Sequence, residues 1–331
     1  MSVFRPLALV LAIVLAACST PPPSESGTET DAQLREITLL LGFRPDVQFA
    51  PFYVAQQEGY YAAAGLEVTI EHKQAPDVQR LVADGDAEFG VADATDVMIA
   101  RTSGIPIRYA STLYQSFPVA IIGAAGDAPT EPAELEGRTI GTPGRFGSSW
   151  HALLALLESA GLTEDDITVR EYPQFNQVEG LVNGDVDLIT GFRNNEPLQL
   201  HAQGFDVGVL TVDDFAPLPG PGVIVGDDLL ASDPDVVGAF VEATAAAQAA
   251  VIDDPDLGFA AAQEAVPAVA EDPEVARAVL DATIELWRGD GFDNGQVDRE
   301  LWDTGYATMK RLGFIDGSVP VDDMIADLSG G

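Results

Sequence analysis

Four short segments of the chain combine residue types that could bind a small molecule. Asp46–Tyr53 carries a carboxylate, an amide and several aromatic rings, and Phe192–Pro197 (FRNNEP) sets a carboxylate beside two amides. Asp93–Thr95 offers a carboxylate and a hydroxyl, and Gly141–Trp150 is a glycine-rich turn with free backbone donors. Aromatic faces stack on flat rings, and amides with a carboxylate match the donors and acceptors of a ring edge. The pattern therefore favours a flat nitrogen heterocycle, while the donors of the glycine-rich turn could hold hydroxyls, carbonyls or an anion.

Each candidate also has a purely structural interpretation. The rings of Asp46–Tyr53 could pack the core, Trp150 could pack between lobes instead of stacking on a ligand, and a first-turn Glu196 would suit a helix dipole. We expect Asp93 mainly to cap the helix that follows it, and we expect Glu196 to bind ligand. The predicted ligand-binding residues are Asp46, Gln48, Phe49, Tyr53, Asp93, Thr95, Tyr114, Gly144, Ser148, Ser149, Trp150, Asn194, Asn195 and Glu196.

The sequence gives no sign of catalysis. The loop 141–150 lacks the lysine of a P-loop, and no Ser/His/Asp or paired-carboxylate arrangement stands out. His72, His151 and His201 lie far apart without metal-ligand spacing, so we expect them at the surface or in interfaces. The only cysteine is Cys18, which excludes disulfides and iron–sulfur centres from the rest of the chain. We predict a binding protein with no metal or cofactor, and not an enzyme.

The elements that must position these residues alternate between strand and helix, which favours parallel pairing. Strands are expected at 36–42, 66–71, 88–92, 138–141, 167–172, 187–190 and 207–212, with helices at 51–64, 75–83, 93–103, 148–160, 175–183 and 195–203. Extended segments at 109–124 and 212–225 join two α/β units, and helices follow at 235–252, 255–265, 272–288 and 298–312. The prediction is an α/β clamshell of two lobes, 36–118 plus 222–331 and 119–221, each a mixed, mainly parallel sheet flanked by helices. The C-terminal helices are expected to pack on the first lobe.

The N-terminus predicts export and lipidation. Arg5 precedes an apolar run that ends in LAAC, so we expect a lipoprotein signal at 1–18, with Cys18 lipidated after cleavage, and a flexible linker at 19–35. The rest of the chain then has 15 basic and 53 acidic residues, a formal charge of −38. This charge excludes nucleic acid as a partner and leaves the lipid as the only membrane contact. The expected location is the extracytoplasmic face of a cell membrane.

Several motifs resemble those of the extracytoplasmic solute-binding proteins of ABC importers. They are GFRPDVQFAPFYVA at 42–55, EGYY at 58–61, GLEV at 65–68, GRTIG at 137–141 and NNEP at 194–197. The branch concerned binds thiamine pyrimidine precursors, riboflavin, nitrate and alkylsulfonates. The resemblance covers nearly all of the chain after the linker and implies the type II periplasmic-binding-protein clamshell.

The ligand and partners follow from the same resemblance. The QFAP and NNEP segments look closest to those of riboflavin-binding lipoproteins, which implies a receptor that captures riboflavin and delivers it to ABC permease subunits. An aminopyrimidine thiamine precursor is the alternative ligand, and the glutamate that contacts it in pyrimidine-binding relatives corresponds to Glu196. Eukaryotic pyrimidine synthases share the fold, but their cysteine-rich iron motif has no counterpart here, which disfavours an enzyme.

Overall fold

The described chain alternates strands and helices around two sheets. The structure is a computed structural model and describes Met1, residues 34–289 and residues 293–328. Its strands are β1 Arg35–Leu41, β2 Leu66–His72, β3 Phe89–Ala92, β4 Ile107–Thr112, β5 Val119–Ala124, β6 Thr139–Thr142, β7 Thr168–Glu171, β8 Leu188–Phe192, β9 Val207–Thr211 and β10 Gly222–Gly226. Its helices are α1 Ala50–Gln57, α2 Tyr60–Ala63, α3 Ala75–Ala83, α4 Ala94–Thr102, α5 Gly147–Ser159, α6 Gln177–Val182, α7 Glu196–Ala202, α8 Asp227–Ser232, α9 Pro234–Asp253, α10 Pro255–Ala265, α11 Pro273–Trp287 and α12 Arg299–Arg311.

The two sheets share one topology. The first has the order β2-β1-β3-β10-β4 and the second the order β7-β6-β8-β5-β9. In each sheet the first three strands are parallel to one another. The fourth strand, β10 in the first sheet and β5 in the second, follows a segment that connects the lobes and pairs antiparallel with both neighbours. This arrangement confirms the predicted α/β class with two lobes of mixed sheet. The exact division into 36–118 plus 222–331 and 119–221 stays a prediction.

The first lobe is held together by an aromatic core beneath its sheet. Phe240 of α9 stacks on Phe89 of β3, with ring centroids 3.9 Å apart, and on Tyr61, 5.2 Å away. In the described part of the chain, α9 is the one helix long and apolar enough to span a membrane. Its buried face includes Val237, Phe240 and Val251, so packing in this core accounts for its composition.

The C-terminal helices do not all pack on the first lobe alone. Helices α9, α10 and α11 bury residues in the first lobe's core, as expected. Helix α12 contacts α4 of the first lobe and also α5 of the second, where the Arg311 guanidinium lies 2.9 Å from a Glu158 carboxylate oxygen. The tail therefore touches both lobes.

Several predicted elements differ from those observed. The predicted helix 51–64 is two helices, because Gly59 adopts a left-handed conformation (φ 77°) between α1 and α2. The segment predicted as extended over 109–124 contains two strands separated by a loop, and α8 was not predicted. Residues 2–33, which hold the rest of the predicted signal peptide, Cys18 and most of the linker, lie outside the described residues, and Arg35, the last predicted linker residue, begins β1.

Candidate ligand-binding site

A cavity lies between the two lobes where the carboxyl ends of their strands face each other, as expected for an α/β sheet. It holds about 940 Å³ of space not filled by protein atoms, its opening to solvent included. Its walls come from both lobes and are mostly apolar. The lining residues are Gly42, Phe43, Gln48, Phe49, Ala75, Val91, Ala92, Asp93, Tyr114, Pro143, Phe146, Gly147, Ser148, Ser149, Phe175, Gln177, Phe192, Asn195, Glu196 and Pro221.

Aromatic rings from opposite lobes meet across this cavity. Phe43 follows β1 and Phe175 follows β7, and their rings pack edge to face with centroids 5.4 Å apart. Phe175 holds a positive φ of 56°, which is unusual for a bulky side chain and persists only where the surrounding structure fixes the backbone. Tyr114, which lies between β4 and β5, packs edge to face against Phe192, with ring centroids 6.2 Å apart. The rings thus form walls against which a flat ligand could stack.

A carboxyl group and an amide form the polar side of the cavity in the second lobe. Glu196 is the first residue of α7, and its Oε2 accepts a hydrogen bond from the Phe192 main-chain N–H at 2.8 Å. The Gln177 Nε2 donates to Glu196 Oε1 at 3.3 Å. A Cβ at position 191 would lie 2.9 Å from the Glu196 Cδ, so Gly191 lets the carboxyl group lie against β8. Burial raises the pKa of Glu196 to about 7.

Gln177 has hydrogen-bonding capacity that the protein does not use. Its side chain is 1% exposed, and its Nε2 also lies 3.4 Å from the Thr190 carbonyl oxygen. Its Oε1 is buried with no hydrogen-bond partner among the described residues. A buried acceptor without a partner is costly, so its position on the cavity wall favours a donor on the ligand.

Asp93 does not cap the helix that it precedes. No side-chain cap bond is formed at the start of α4, and the Asp93 Oδ2 instead accepts from the Ser148 main-chain N–H at 2.8 Å. Ser148 lies in the first turn of α5, in the other lobe. The capping expectation for Asp93 is therefore wrong: its carboxylate binds the start of a different helix across the cavity.

A second connection between the lobes runs through Gln48 and Asn194. The Gln48 Oε1 accepts from Asn194 Nδ2 at 2.9 Å and from the Tyr114 hydroxyl at 3.2 Å. Asn194 Nδ2 also donates to Thr283 Oγ1 at 2.7 Å. Asp46 orients Gln48 by accepting from its main-chain N–H and its Nε2. These bonds hold the residues after β8 against the first lobe, so Asn194 and Asp46 position the site from behind the cavity wall.

The structure brings eight of the fourteen predicted residues to the cavity and leaves six behind it. Trp150 lies in the core of the second lobe under the Arg145 guanidinium, not on a stacking wall. Tyr53 is buried with its hydroxyl 3.2 Å from His72, and Thr95 is bonded to His151. The other three are Asp46, Asn194 and Gly144, whose missing Cβ leaves room for the Phe146 ring. The eight are Gln48, Phe49, Asp93, Tyr114, Ser148, Ser149, Asn195 and Glu196.

Several residues that line the cavity are not among those predicted from the sequence. Phe43, Phe146 and Phe192 lie inside or next to segments already singled out but were not chosen. Phe175 lies in the loop after β7 and Gln177 begins α6, and this segment also follows the carboxyl end of a strand. Applying the strand-end rule to every parallel strand would have found both residues.

The histidines serve as packing and hydrogen-bonding groups. His151 is buried between the lobes, with its Nδ1 2.9 Å from Thr95 Oγ1, and burial lowers its pKa to about 4. His201 is exposed near Asp206. His72 is partly buried and bonded to the Phe43 carbonyl oxygen, and burial lowers its pKa. Within the ranges that the structure describes, no group of three or more His, Cys, Asp or Glu side chains could hold a metal ion.

The sequence from residue 46 to residue 257, which contains segments of both lobes and most of the cavity wall, matches the family model described as NMT1/THI5 like. The chain belongs to this family. Riboflavin-binding protein RibY from Chloroflexus aurantiacus is 34% identical over 96% of the chain and 93% of that protein. A formylaminopyrimidine-binding protein from Halalkalibacterium halodurans is 24% identical over 99% of the chain and all of that protein.

Other relatives of the chain differ in activity. A 4-amino-5-hydroxymethyl-2-methylpyrimidine phosphate synthase from Uromyces fabae is 26% identical over 85% of the chain and 84% of that protein. Among solved structures, the periplasmic aliphatic sulphonate binding protein SsuA from Escherichia coli superposes with a TM-score of 0.70 at 14% identity, over 88% of this chain and 92% of that one. This likeness confirms the predicted periplasmic-binding-protein fold.

Proposed function

We propose that this chain is the solute-binding protein of an ABC importer and that its ligand is riboflavin. The observation that carries the proposal is the make-up of the cavity wall. Aromatic rings from both lobes surround a carboxyl and amide edge, and neither lysine nor arginine occurs among the described residues that line the cavity. Such a wall suits a flat, uncharged, nitrogen-containing ring.

The charge of the wall separates riboflavin from the anionic ligands that the family also binds. Two acidic side chains, Asp93 and Glu196, line the cavity, and the nearby Arg44 guanidinium lies over the Phe43 ring at 5.3 Å without joining the lining. A sulfonate or nitrate would be desolvated beside these acids, and no described lining residue supplies a cation to compensate its charge, which is costly. An uncharged flavin meets no such penalty.

The polar groups are arranged to suit the two chemically different parts of riboflavin. The pyrimidine-like edge of its ring system offers carbonyl acceptors and an N–H donor, which match Glu196 and the unpartnered Gln177 Oε1. The ribityl chain carries hydroxyls, for which Ser148, Ser149 and Asn195 supply partners on the same wall. Phe43, Phe175 and the other aromatic residues that line the cavity would enclose the faces of the flavin ring system.

An aminopyrimidine thiamine precursor is the second candidate ligand. It offers a smaller ring with a related donor and acceptor edge, and the Halalkalibacterium halodurans relative supports it. RibY, at the higher identity, supports riboflavin. Synthase activity is disfavoured, because the iron motif of those enzymes needs cysteines and the chain has only Cys18. We therefore propose binding without turnover.

Transport would follow from the N-terminal signal and the two lobes. Lipidation of Cys18 would tether the protein at the extracytoplasmic face of the membrane. Two lobes around a central cavity suit a hinge motion in which ligand stabilises the closed state and the permease receives it on opening.

The proposed function is tested by measuring the melting temperature of the protein lacking residues 1–18. Riboflavin, an aminopyrimidine, an alkanesulfonate and nitrate are each added in excess in separate samples. We expect riboflavin to raise the melting temperature most, since a ligand at 100 times its Kd adds about 2.7 kcal/mol of stability. A rise with the sulfonate or nitrate and none with riboflavin would contradict the proposal.

A further inference from the structure

The start of helix α5 is already occupied by a carboxylate from the opposite lobe. The main-chain N–H groups of a helix's first turn are free donors that attract anions. Here the Ser148 N–H donates to Asp93 Oδ2 at 2.8 Å, and the Gly147 N–H faces the Asp96 carboxyl group. Phe146, at the capping position, supplies no side-chain bond of its own. The anion at this helix therefore comes from the chain itself.

The backbone around this contact is shaped for the close approach of Asp93. Gly147 has a φ of 69°, in the left-handed region that favours glycine. A Cβ at that position would lie 3.1 Å from Asp93 Oδ2, a tight contact that the carboxylate would have to relieve. Both the left-handed backbone conformation and the closeness of the Asp93 carboxylate therefore favour glycine at position 147.

The carboxyl groups of Asp93 and Asp96 are buried beside the start of α5. Burial raises the pKa of Asp93, and burial together with the nearby Asp93 charge raises the pKa of Asp96 to about 8. Both carboxyl groups therefore hold a proton to higher pH than a solvated carboxyl group does. Gln79 Nε2 donates to Asp96 Oδ2 at 3.2 Å, and burial, with the nearby Asp93 charge, raises the pKa of Tyr109. Burial keeps His151, 3.7 Å from Asp96 Oδ1, neutral at pH 7.

We propose that Asp93 acts as an internal anion which takes the start of α5 in place of a charged ligand group, so that the cavity selects an uncharged ligand over its phosphorylated or sulfonated counterpart. The inference rests on the proposed function, because it assumes an uncharged flavin ligand. Ser148, Gly147 and Asp93 all line the cavity. A phosphate group in this cavity would find the helix donors occupied and would face the negative charge of Asp93.

The test compares riboflavin with riboflavin 5′-phosphate by titration of flavin fluorescence. Wild type, Asp93→Ala, Asp93→Asn and Asp86→Ala are used, each lacking residues 1–18. Asp86 is exposed, so its substitution removes the same charge from the surface without touching the cavity. We expect wild type and Asp86→Ala to bind riboflavin at least ten-fold more tightly than its phosphate. In Asp93→Ala and Asp93→Asn this ratio should fall at least five-fold.

Three outcomes would overturn the inference or separate it from the proposed function. If wild type binds both flavins equally, the inference is overturned and the proposed function stands. The same holds if the ratio of riboflavin affinity to riboflavin 5′-phosphate affinity is unchanged in both Asp93 variants. If neither flavin binds wild type, the proposed function fails, and inorganic sulfate decides the inference. At matched ionic strength, sulfate should raise the melting temperature of Asp93→Ala more than that of Asp86→Ala; an equal rise overturns the inference.

Discussion

Replacing Glu196 with alanine is expected to weaken riboflavin binding about ten-fold or more. The Glu196 carboxyl group lies on the cavity wall beside the Gln177 amide, and truncation would leave a ligand polar group without a partner. Such a loss costs about 1–3 kcal/mol, and a tenfold change in Kd is about 1.4 kcal/mol. The measurement is the Kd of each variant, together with its melting temperature in the absence of ligand.

The control variant and the free protein's stability separate binding from structure. Glu264→Ala removes an exposed carboxylate of α10 that does not line the cavity, and should leave the Kd unchanged. If Glu196 only stabilises the first turn of α7, its alanine variant should melt at a lower temperature and keep its affinity. That result would remove Glu196 from the site.

The same residue predicts a dependence of affinity on pH. Burial raises the pKa of Glu196 from 4.5 to about 7 in the free protein. An uncharged ligand would desolvate the carboxyl group further and raise this pKa again, so binding would take up a proton. Riboflavin affinity should therefore be constant below about pH 6 and fall as the pH rises through 7. Glu196→Gln, which is neutral at every pH, should bind without this dependence. Affinity that rises above pH 7 would indicate that the carboxylate is the binding form.

Replacing Cys18 with alanine is expected to move the whole protein from the membrane fraction to the soluble fraction. Lipidation needs the thiol, and Cys18 is the only cysteine in the 331 residues. No second lipid anchor is predicted, so the effect should be close to complete. The measurement is immunoblotting of the two fractions, with Ser24→Ala in the predicted linker as the control that stays on the membrane. A Cys18→Ala protein that remains membrane-bound would contradict the lipoprotein assignment.

The fold could be predicted from sequence because its signals are local and repeated. Alternating apolar strands and helices indicated two α/β units, and the strand-end rule led to the segments that carry Gln48, Ser148 and Glu196. Phe175 and Gln177, in the segment after β7, were not predicted because the rule was not applied to that strand. The break at Gly59 was not predicted because an isolated glycine inside a helical pattern is tolerated.

Contacts between the lobes could not be predicted, because they join residues far apart in the chain. Asp93 binds Ser148, 55 positions later, and Asn194 binds Gln48, 146 positions earlier. Each side chain has a plausible local role, such as capping the next helix, and sequence alone does not show which partner is nearer in space. A tryptophan at position 150 suits both a ligand-binding wall and a hydrophobic core, and only the packing in the structure shows that it lies in the core.

The measurement that tests the central claim most directly is a titration of riboflavin with protein lacking residues 1–18, followed by the vitamin's own fluorescence. Rings such as Phe43, Phe175 and Tyr114 line the cavity, and stacking on aromatic side chains should quench the flavin. We predict saturable quenching with one site per chain, which an excess of an alkanesulfonate does not reverse. Fluorescence that stays unchanged up to high micromolar protein would contradict the assignment of riboflavin as the ligand.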